Sequence, residues 1–318
     1  MEIYPLIQVK ISEAAALFSL NYQKQRQFTP LLPNAWEDPV WVEKRLADTF
    51  NDTNALVAME QGKVIGFLSW FLVNDFRASG RKGAYVPEWG HTCQEAGKQK
   101  IYQALYRRAA EQWASAGCQV HAISLLASDH AAEVTWFWNG FGLTVVDSIR
   151  PVQPLDATYS PGVNIRLVEP RDVPALTRLD AEHCQHYSRS PVFMTTRNER
   201  KEQENMEFIS RPKNSIWLAE AGDKPVGFMR FDGYDFDSVA IVESEAGILI
   251  NGAYVKPAYR GKKISVALLD AALRHYQSLG LIYCTVNFES FNPEAAVFWM
   301  KYFEPVCLSV VRVPESLG

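Results

Sequence analysis

Apolar and polar positions recur in the same order in two separated stretches of the chain. Asn54–Phe71 (NALVAMEQGKVIGFLSWF) and Ser215–Phe231 (SIWLAEAGDKPVGFMRF) each read as a short apolar strand, a polar turn and a second strand entered through a Val/Ile-Gly-Phe step. In both halves Gly-Ala-Tyr-Val follows, at Gly83–Val86 and Gly252–Val255. A helix comes next. In Lys100–Gly117 the residues Ile101, Leu105, Ala109 and Trp113 form one stripe, and in Lys263–Gly280 Ile264, Leu268, Ala272 and Tyr276 do the same. That spacing is the amphipathic i, i+4 pattern, and each segment closes on a glycine, the usual residue just past a helix end. A strand (His121–Leu126, Tyr283–Phe288) and a short helix carrying Phe137-Trp138 or Phe298-Trp299 complete each copy. The pattern predicts two copies of one α+β unit, each of ordinary domain size. Between them, Arg150–Leu167 holds Pro151, Pro154 and Pro161, which cannot donate to a sheet, so it reads as an extended linker. A new strand is expected from Asn164 and a helix from about Asp172, with Asp172 as its N-cap and Pro174 in its first turn. The domains are therefore placed at 1–155 and 156–318, each a mixed, mainly antiparallel sheet flanked by helices.

Composition narrows the function. Of 318 residues, 47% are hydrophobic and 21% charged, which excludes wholesale disorder. A net charge of -4 argues against a general nucleic-acid partner. The longest apolar run, Val64–Val73, is broken by Ser69 and is about half the length that crosses a bilayer. No membrane association is expected, and Met1–Lys10 has no signal-peptide pattern, so a cytoplasmic location is expected. The five cysteines form neither a disulfide framework nor a zinc motif, and no metal is expected. His183 and His186 stand at i, i+3 without an evident third ligand, so ordinary helix positions are expected for them. His91 and Cys93 lack an orienting third group and are not expected to form a nucleophile pair. Trp36, Trp41 and Trp89 lie in or beside loops and are candidates for the wall of a ligand pocket.

The most informative stretch is Ile250–Tyr276, where a strand ends at Val255, a proline punctuates and a basic glycine-containing loop enters a helix. The first N–H groups of a helix have no intrahelical partner, and with the helix dipole they favour an anion. Arg260, Lys262 and Lys263 add positive charge there, each charge-assisted bond being worth roughly 1.5–3 kcal/mol.

Val255-Lys256-Pro257-Ala258-Tyr259-Arg260-Gly261-Lys262-Lys263-Ile264-Ser265 resembles the acetyl-CoA loop of the GNAT N-acetyltransferases, Val-x-Pro-x-(Tyr/Phe)-(Arg/Gln)-Gly-x-Gly-x-(Gly/Ala). Asn292, Ala295, Ala296 and Phe298-Trp299 resemble the family's later Asn-x-x-Ala…(Phe/Leu)-(Tyr/Trp) signature, and Thr135–Leu143 (TWFWNGFGL) resembles its Phe-Tyr/Trp-x-x-x-Gly-Phe ending. The chain thus resembles a tandem GNAT protein. The resemblance implies an acetyl-CoA cosubstrate held by Ala253, Tyr254, Val255, Arg260, Gly261, Lys262, Lys263, Ile264, Ser265, Asn292 and Trp299. It also implies direct transfer to a small-molecule or peptide amine, and leaves a homodimer open. Lys263 and Ser265 replace two family glycines. In the first half the equivalent Val86–Ile101 has no Arg-Gly, carries Glu88 and Glu95, and is six residues longer between Val and Ile than Val255–Ile264. Two carboxylates repel a diphosphate, so the first domain is read as a degenerate copy serving as scaffold, interface or acceptor-site wall.

Direct attack needs a base for the ammonium and a proton for the leaving thiolate. The family's late tyrosine position holds Trp299, which makes Tyr302 the nearest phenol and the candidate acid. Some relatives carry a base at the position of Asn287. By alternation Glu289 shares its face and is the candidate base, with Glu243 and Glu245 as alternatives. A catalytically silent acyl-CoA-binding or interaction protein is the rival reading.

Overall fold

A computed structural model describes residues 1–6, 8–155, 162–195, 198–233 and 238–315. The first half runs β1 (Glu2–Pro5), α1 (Gln8–Phe28), α2 (Pro39–Thr49), β2 (Ala55–Glu60), β3 (Lys63–Ser69), β4 (Phe71–Val73), β5 (Gly83–Val86), β6 (His91–Cys93), α3 (Lys98–Ser115), β7 (Val120–Leu126), α4 (His130–Trp138) and β8 (Gly142–Pro151). The second runs β9 (Val163–Leu167), α5 (Val173–Ser188), α6 (Glu202–Ser210), β10 (Ser215–Ala221), β11 (Lys224–Asp232), β12 (Gly247–Val255), α7 (Ile264–Ser278), β13 (Tyr283–Glu289), α8 (Pro293–Tyr302) and β14 (Glu304–Arg312). The order strand, strand, strand, helix, strand, helix predicted from the apolar pattern is found in the second half as β10-β11-β12-α7-β13-α8, and in the first half as β2-β3-β5-α3-β7-α4 with the short strands β4 and β6 added. Two compact units result. One comprises Met1–Ser148, Val239–Val242 and Glu304–Gly318; the other comprises Ile149–Ser238 and Glu243–Phe303.

In the first unit β1, β2, β3 and β6 pair antiparallel in that order. β4 pairs antiparallel with β5, β5 pairs parallel with β7, and β7 pairs antiparallel with β14. The stripe of α3 is buried as expected: Ile101, Leu105, Ala109 and Trp113 join Leu68, Ile123, Trp136 and Phe141 in one core. The last strand of the chain belongs to this unit, with Cys307 opposite Leu126 and Arg312 opposite His121. A division at 155/156 assigns that strand by sequence to the other half.

The second unit has the strand order β9-β10-β11-β12-β13, antiparallel except for the β12–β13 pair. On one face, Leu176, Leu179 and Phe208 of α5 and α6 pack against Ile216, Leu218 and Phe228. On the other face Tyr276 of α7 packs on Phe231, with ring centroids 5.3 Å apart, and exchanges a 2.7 Å hydrogen bond with Ser215. Two expectations are corrected here. Val152 N–H donates to the Ile282 carbonyl and Leu155 N–H to Asp270 Oδ1, so the start of the proposed linker is fastened to this unit; Pro161 lies outside the described residues. Asp172 precedes α5 but does not cap it through its side chain, because its carboxylate is taken by Arg166 at 2.5 Å and by the Glu169 N–H.

Candidate functional site

β12 and β13 pair only from Gly247–Ile250 against Tyr283–Val286. Beyond that point β12 keeps its antiparallel partner β11 alone, and β13 continues through Asn287, Phe288 and Glu289. The two strands part at a bulge: Phe231 faces Ile250 and Arg230 faces Gly252, which leaves Asn251 out of register at the apex. From Asn251 to Ala253 the strand is only half-buried, so its edge is open to an extended ligand.

The bulge is held from beneath. Arg230 is 3% exposed, and its Nη2 donates to Asp180 Oδ2 at 2.7 Å and to Asn205 Oδ1 at 3.1 Å. Its guanidinium lies over Phe208 and Phe228 at 5.6 and 5.2 Å. A Cβ at Gly252 would come within 3.3 Å of Arg230 Nη1, so a larger residue there would press on this buried charge. Asn251 itself links Asp232 and Arg200 at 3.3 and 3.4 Å.

The basic loop follows directly. A 3-10 turn spans Pro257–Tyr259, and Arg260 Nε donates to the Val255 carbonyl at 3.0 Å. Gly261 has φ 75°, and the space where its Cβ would stand is open. Lys263 is the N-cap of α7 with φ 60°; a non-glycine residue in the left-handed region costs roughly 1–2 kcal/mol. Lysine thus stands in a left-handed conformation that favours glycine, at the position where the family pattern has glycine. The first intrahelical bond runs from Ala267 N to Lys263 O, so the preceding N–H groups stand at the open helix end. Gly261, Lys262 and Lys263 are exposed, Ser265 is half-buried and Ile264 is buried beneath them. The exposed cations, the N–H groups at the helix start and the open space over Gly261 fit a diphosphate.

The remaining candidates fall in varied surroundings. Ala253, Tyr254 and Val255 form the open strand; Tyr254 turns its ring toward His183 and its hydroxyl toward Glu182. Burial and the Glu182 charge push its pKa up. Asn292 is the N-cap of α8, where its side chain accepts from Ala295 N–H. Trp299 is buried between Phe298 and Phe303. Tyr302 stands against Phe298, with centroids 5.1 Å apart. Glu289 closes β13 at 9% exposure, two residues along from the half-buried Asn287. His183 is buried among Tyr187, Phe228 and Tyr254, whereas His186 approaches Glu294 at 3.7 Å, so the two do not converge. Among the described residues no group of three His, Cys, Asp or Glu is placed to hold a metal. Three arrangements were not visible in the sequence: the Arg230–Asp180–Asn205 network, the Lys256–Glu182 pair at 2.8 Å, and the Arg260–Glu294 pair across the loop. All join residues far apart in the chain.

The counterpart in the first unit is filled by its own side chains. Gly97, φ 74°, is the N-cap of α3, and Ile101 N bonds Gly97 O as Ala267 N bonds Lys263 O. Matching the helix starts in this way, rather than the apolar stripes, pairs Gly97 with Lys263. Val86 to Gly97 spans eleven steps against eight from Val255 to Lys263, so the first-half segment is three residues longer, not six. Lys98 Nζ is held by both oxygens of Asp129, at 2.6 and 2.7 Å, and by Glu95 at 2.9 Å. Glu88 does not face a diphosphate at this helix end as expected; it is buried and accepts from Ile241 N–H. His91 donates from Nε2 to the Ser124 carbonyl at 2.8 Å and meets the Tyr102 hydroxyl through Nδ1. Burial pushes the Cys93 thiol up to about 12, away from nucleophile chemistry. Trp36, Trp41 and Trp89 pack on one another around Arg45.

Comparison with known proteins agrees with this geometry. Residues 181–303, which contain the splayed strands and the loop, match the Acetyltransferase (GNAT) family. The whole chain is similar in fold to a GCN5-related N-acetyltransferase from Sphaerobacter thermophilus, with TM-score 0.59 and 12% identity over 98% of this chain and 95% of that one. It is also similar to a tandem GNAT protein from the clavulanic acid biosynthesis pathway, with TM-score 0.49 and 15% identity over 98% of each chain. No curated protein sequence matches significantly. Residues 181–303 therefore carry the match to the GNAT family, and the chain as a whole shares the fold of a GCN5-related N-acetyltransferase. No helix among the described residues is long and apolar enough to cross a membrane.

Proposed function

We propose that the protein is an acetyl-CoA-dependent N-acetyltransferase whose active site lies in the second unit. The observation that carries this reading is the continuity of two features on one segment. A strand edge without a β13 partner, Asn251–Val255, leads through the single turn Pro257–Tyr259 into a cationic helix start, Arg260–Ser265. Bound acetyl-CoA supplies the activated acyl group. The N–H groups of Gly261–Ser265, with Arg260, Lys262 and Lys263, hold its diphosphate, and the edge of Ala253–Val255 pairs with its extended arm. An N–H at the apex of the splay is placed to polarise an acyl oxygen. Glu289 takes the proton of the incoming ammonium, directly or through one water, and Tyr302, the phenol that follows the Trp299 position in the chain, returns one to the thiolate. The first unit serves as scaffold, interface or acceptor-site wall.

One observation favours a second reading, a silent acyl-CoA-binding protein: the position where the family carries a phenol is Trp299, buried between Phe298 and Phe303. Thiol release from acetyl-CoA, followed with a panel of small amines, amino acids and peptides, separates the two. Amine-dependent release supports the transferase. Tight CoA binding with no release above the amine-free rate across the panel supports the silent reading.

A further inference from the structure

We infer that the acceptor at the second unit's site is an amino acid whose carboxylate is held by Arg200; the inference rests on the transferase reading above. Arg200 stands two residues ahead of α6 and is half-buried. Its Nη2 donates to Asn251 Oδ1 at 3.4 Å, and Asn251 is the bulged residue at the point where β12 and β13 part. The guanidinium therefore lies at the mouth of the splay, one asparagine side chain away from the strand backbone. It rests over the ring of Phe208, with 5.3 Å from Cζ to the ring centroid.

What Arg200 lacks is an anion. Among the described residues it has no ion-pair partner, and its one hydrogen bond is the long one to Asn251. Its neighbours Glu199 and Glu202 are exposed and form no ion pair with it. Asp232, buried on β11, reaches it only through the Asn251 amide, whose Nδ2 donates to Asp232 Oδ2 at 3.3 Å. Asp180 is bonded to Arg230 at 2.7 Å, and Arg230 lies over the same Phe208 ring at 5.6 Å. Two guanidiniums thus share one ring, and only the buried one is bonded directly to a carboxylate. A guanidinium carries five N–H donors in a planar fork that matches a carboxylate bidentately. Half-buried surroundings strengthen such a pair relative to open water. A carboxylate seated on Arg200 stands one side chain from the strand that faces the acyl group. The amine that attacks there is then close to the carboxylate, as in an α-amino acid. In the transfer the N–C bond forms and the C–S bond breaks. The nitrogen sheds two protons between ammonium and amide, one ending on the CoA sulfur and one in solvent, and the carboxylate is unchanged. Arg200 therefore holds substrate and transition state alike, and acts on KM rather than on kcat.

The test follows thiol release from acetyl-CoA by the full chain. Each common L-amino acid is offered beside its own amide, with spermidine and glucosamine as further amines that carry no carboxylate. An L-amino acid is expected to be the best acceptor, with kcat/KM at least tenfold above its amide, spermidine and glucosamine. Arg200→Met keeps a stem over Phe208 and removes the fork. It is expected to raise KM for that amino acid at least tenfold, with kcat and the calorimetric CoA affinity little changed, and Arg200→Lys to recover part of the loss. The inference alone is overturned, with the transferase reading intact, if an amide, spermidine or glucosamine is acetylated as well as the best amino acid. It is also overturned if folded Arg200→Met matches wild type, or if that variant weakens CoA as much as it raises KM. Should Arg200→Met not fold, the comparison of each amino acid with its amide decides the matter. No release with any amine overturns the transferase reading and this inference together.

Discussion

Two buried histidines make the stability of the first unit depend on pH in a predictable direction. Burial lowers the pKa of His91 to about 4, and burial together with the Arg312 charge lowers that of His121 to about 4. His91 has both ring nitrogens engaged, and His121 meets the Tyr106 hydroxyl through Nδ1 while its Nε2 has no hydrogen-bond partner among the described residues. Unfolded, each titrates near 6.5. Between those values the unfolded chain binds more protons, so stability is fully present above about pH 6.5 and is lost as pH falls toward 4. At pH 5 the loss is about 2 kcal/mol per histidine, or about 4 kcal/mol for the pair. His186 in the second unit, lowered by burial and by Arg260, acts in the same direction. Asp172, whose pKa is lowered by Arg166, titrates below this window. Urea unfolding at pH 8 and pH 5 measures the difference. His91→Gln and His121→Phe are each expected to remove about half of the first unit's pH dependence. Equal stability at the two pH values, or an undiminished difference in the double variant, would refute the reasoning.

Three further outcomes are expected. Lys98→Met removes a nearly buried ammonium from the partly exposed Asp129 and the exposed Glu95 and is expected to cost about 2 kcal/mol in urea unfolding; a cost below about 0.5 kcal/mol would mean the pair behaves as an exposed one. Glu294→Gln frees Arg260 from a competing internal anion and is expected to tighten CoA binding about threefold by calorimetry, the scale of an exposed ion pair; weaker binding would show that Glu294 instead orients Arg260 for the ligand. Glu289→Gln is expected to lower turnover at pH 7 at least tenfold with CoA affinity little changed, and normal turnover would move the base to Glu243, Glu245 or water.

The local features of the fold are legible in the sequence, and the long-range ones are not. Ile101, Leu105, Ala109 and Trp113 announce α3 because a helix repeats its buried face every three to four residues. Gly117 and Gly280 mark the ends of the two helices for equally local reasons. Nothing near Glu304–Arg312 says that this strand pairs with Val120–Leu126, a partner nearly two hundred residues away, rather than staying with the half that precedes it. Glu88 illustrates the same limit: a glutamate in a polar-looking loop reads as exposed, yet its carboxylate is buried on the Ile241 N–H. The loop Val255–Ser265 stands out because its chemistry is contiguous. The network beneath the bulge does not, because Arg230, Asp180 and Asn205 come from one strand and two helices.

The asymmetry between the two units is the centre of this account, and CoA titration by calorimetry addresses it most directly. One CoA per chain is expected. Arg260→Glu, which removes a charge-assisted bond and adds repulsion, should weaken it more than about tenfold. Lys98 is held in its own ion pairs and Lys100 lies on the exposed face of α3, so replacing Lys100 should leave CoA affinity unchanged. A stoichiometry of two, or equal sensitivity to charge changes at Arg260 and Lys100, would contradict the assignment of the site to the second unit.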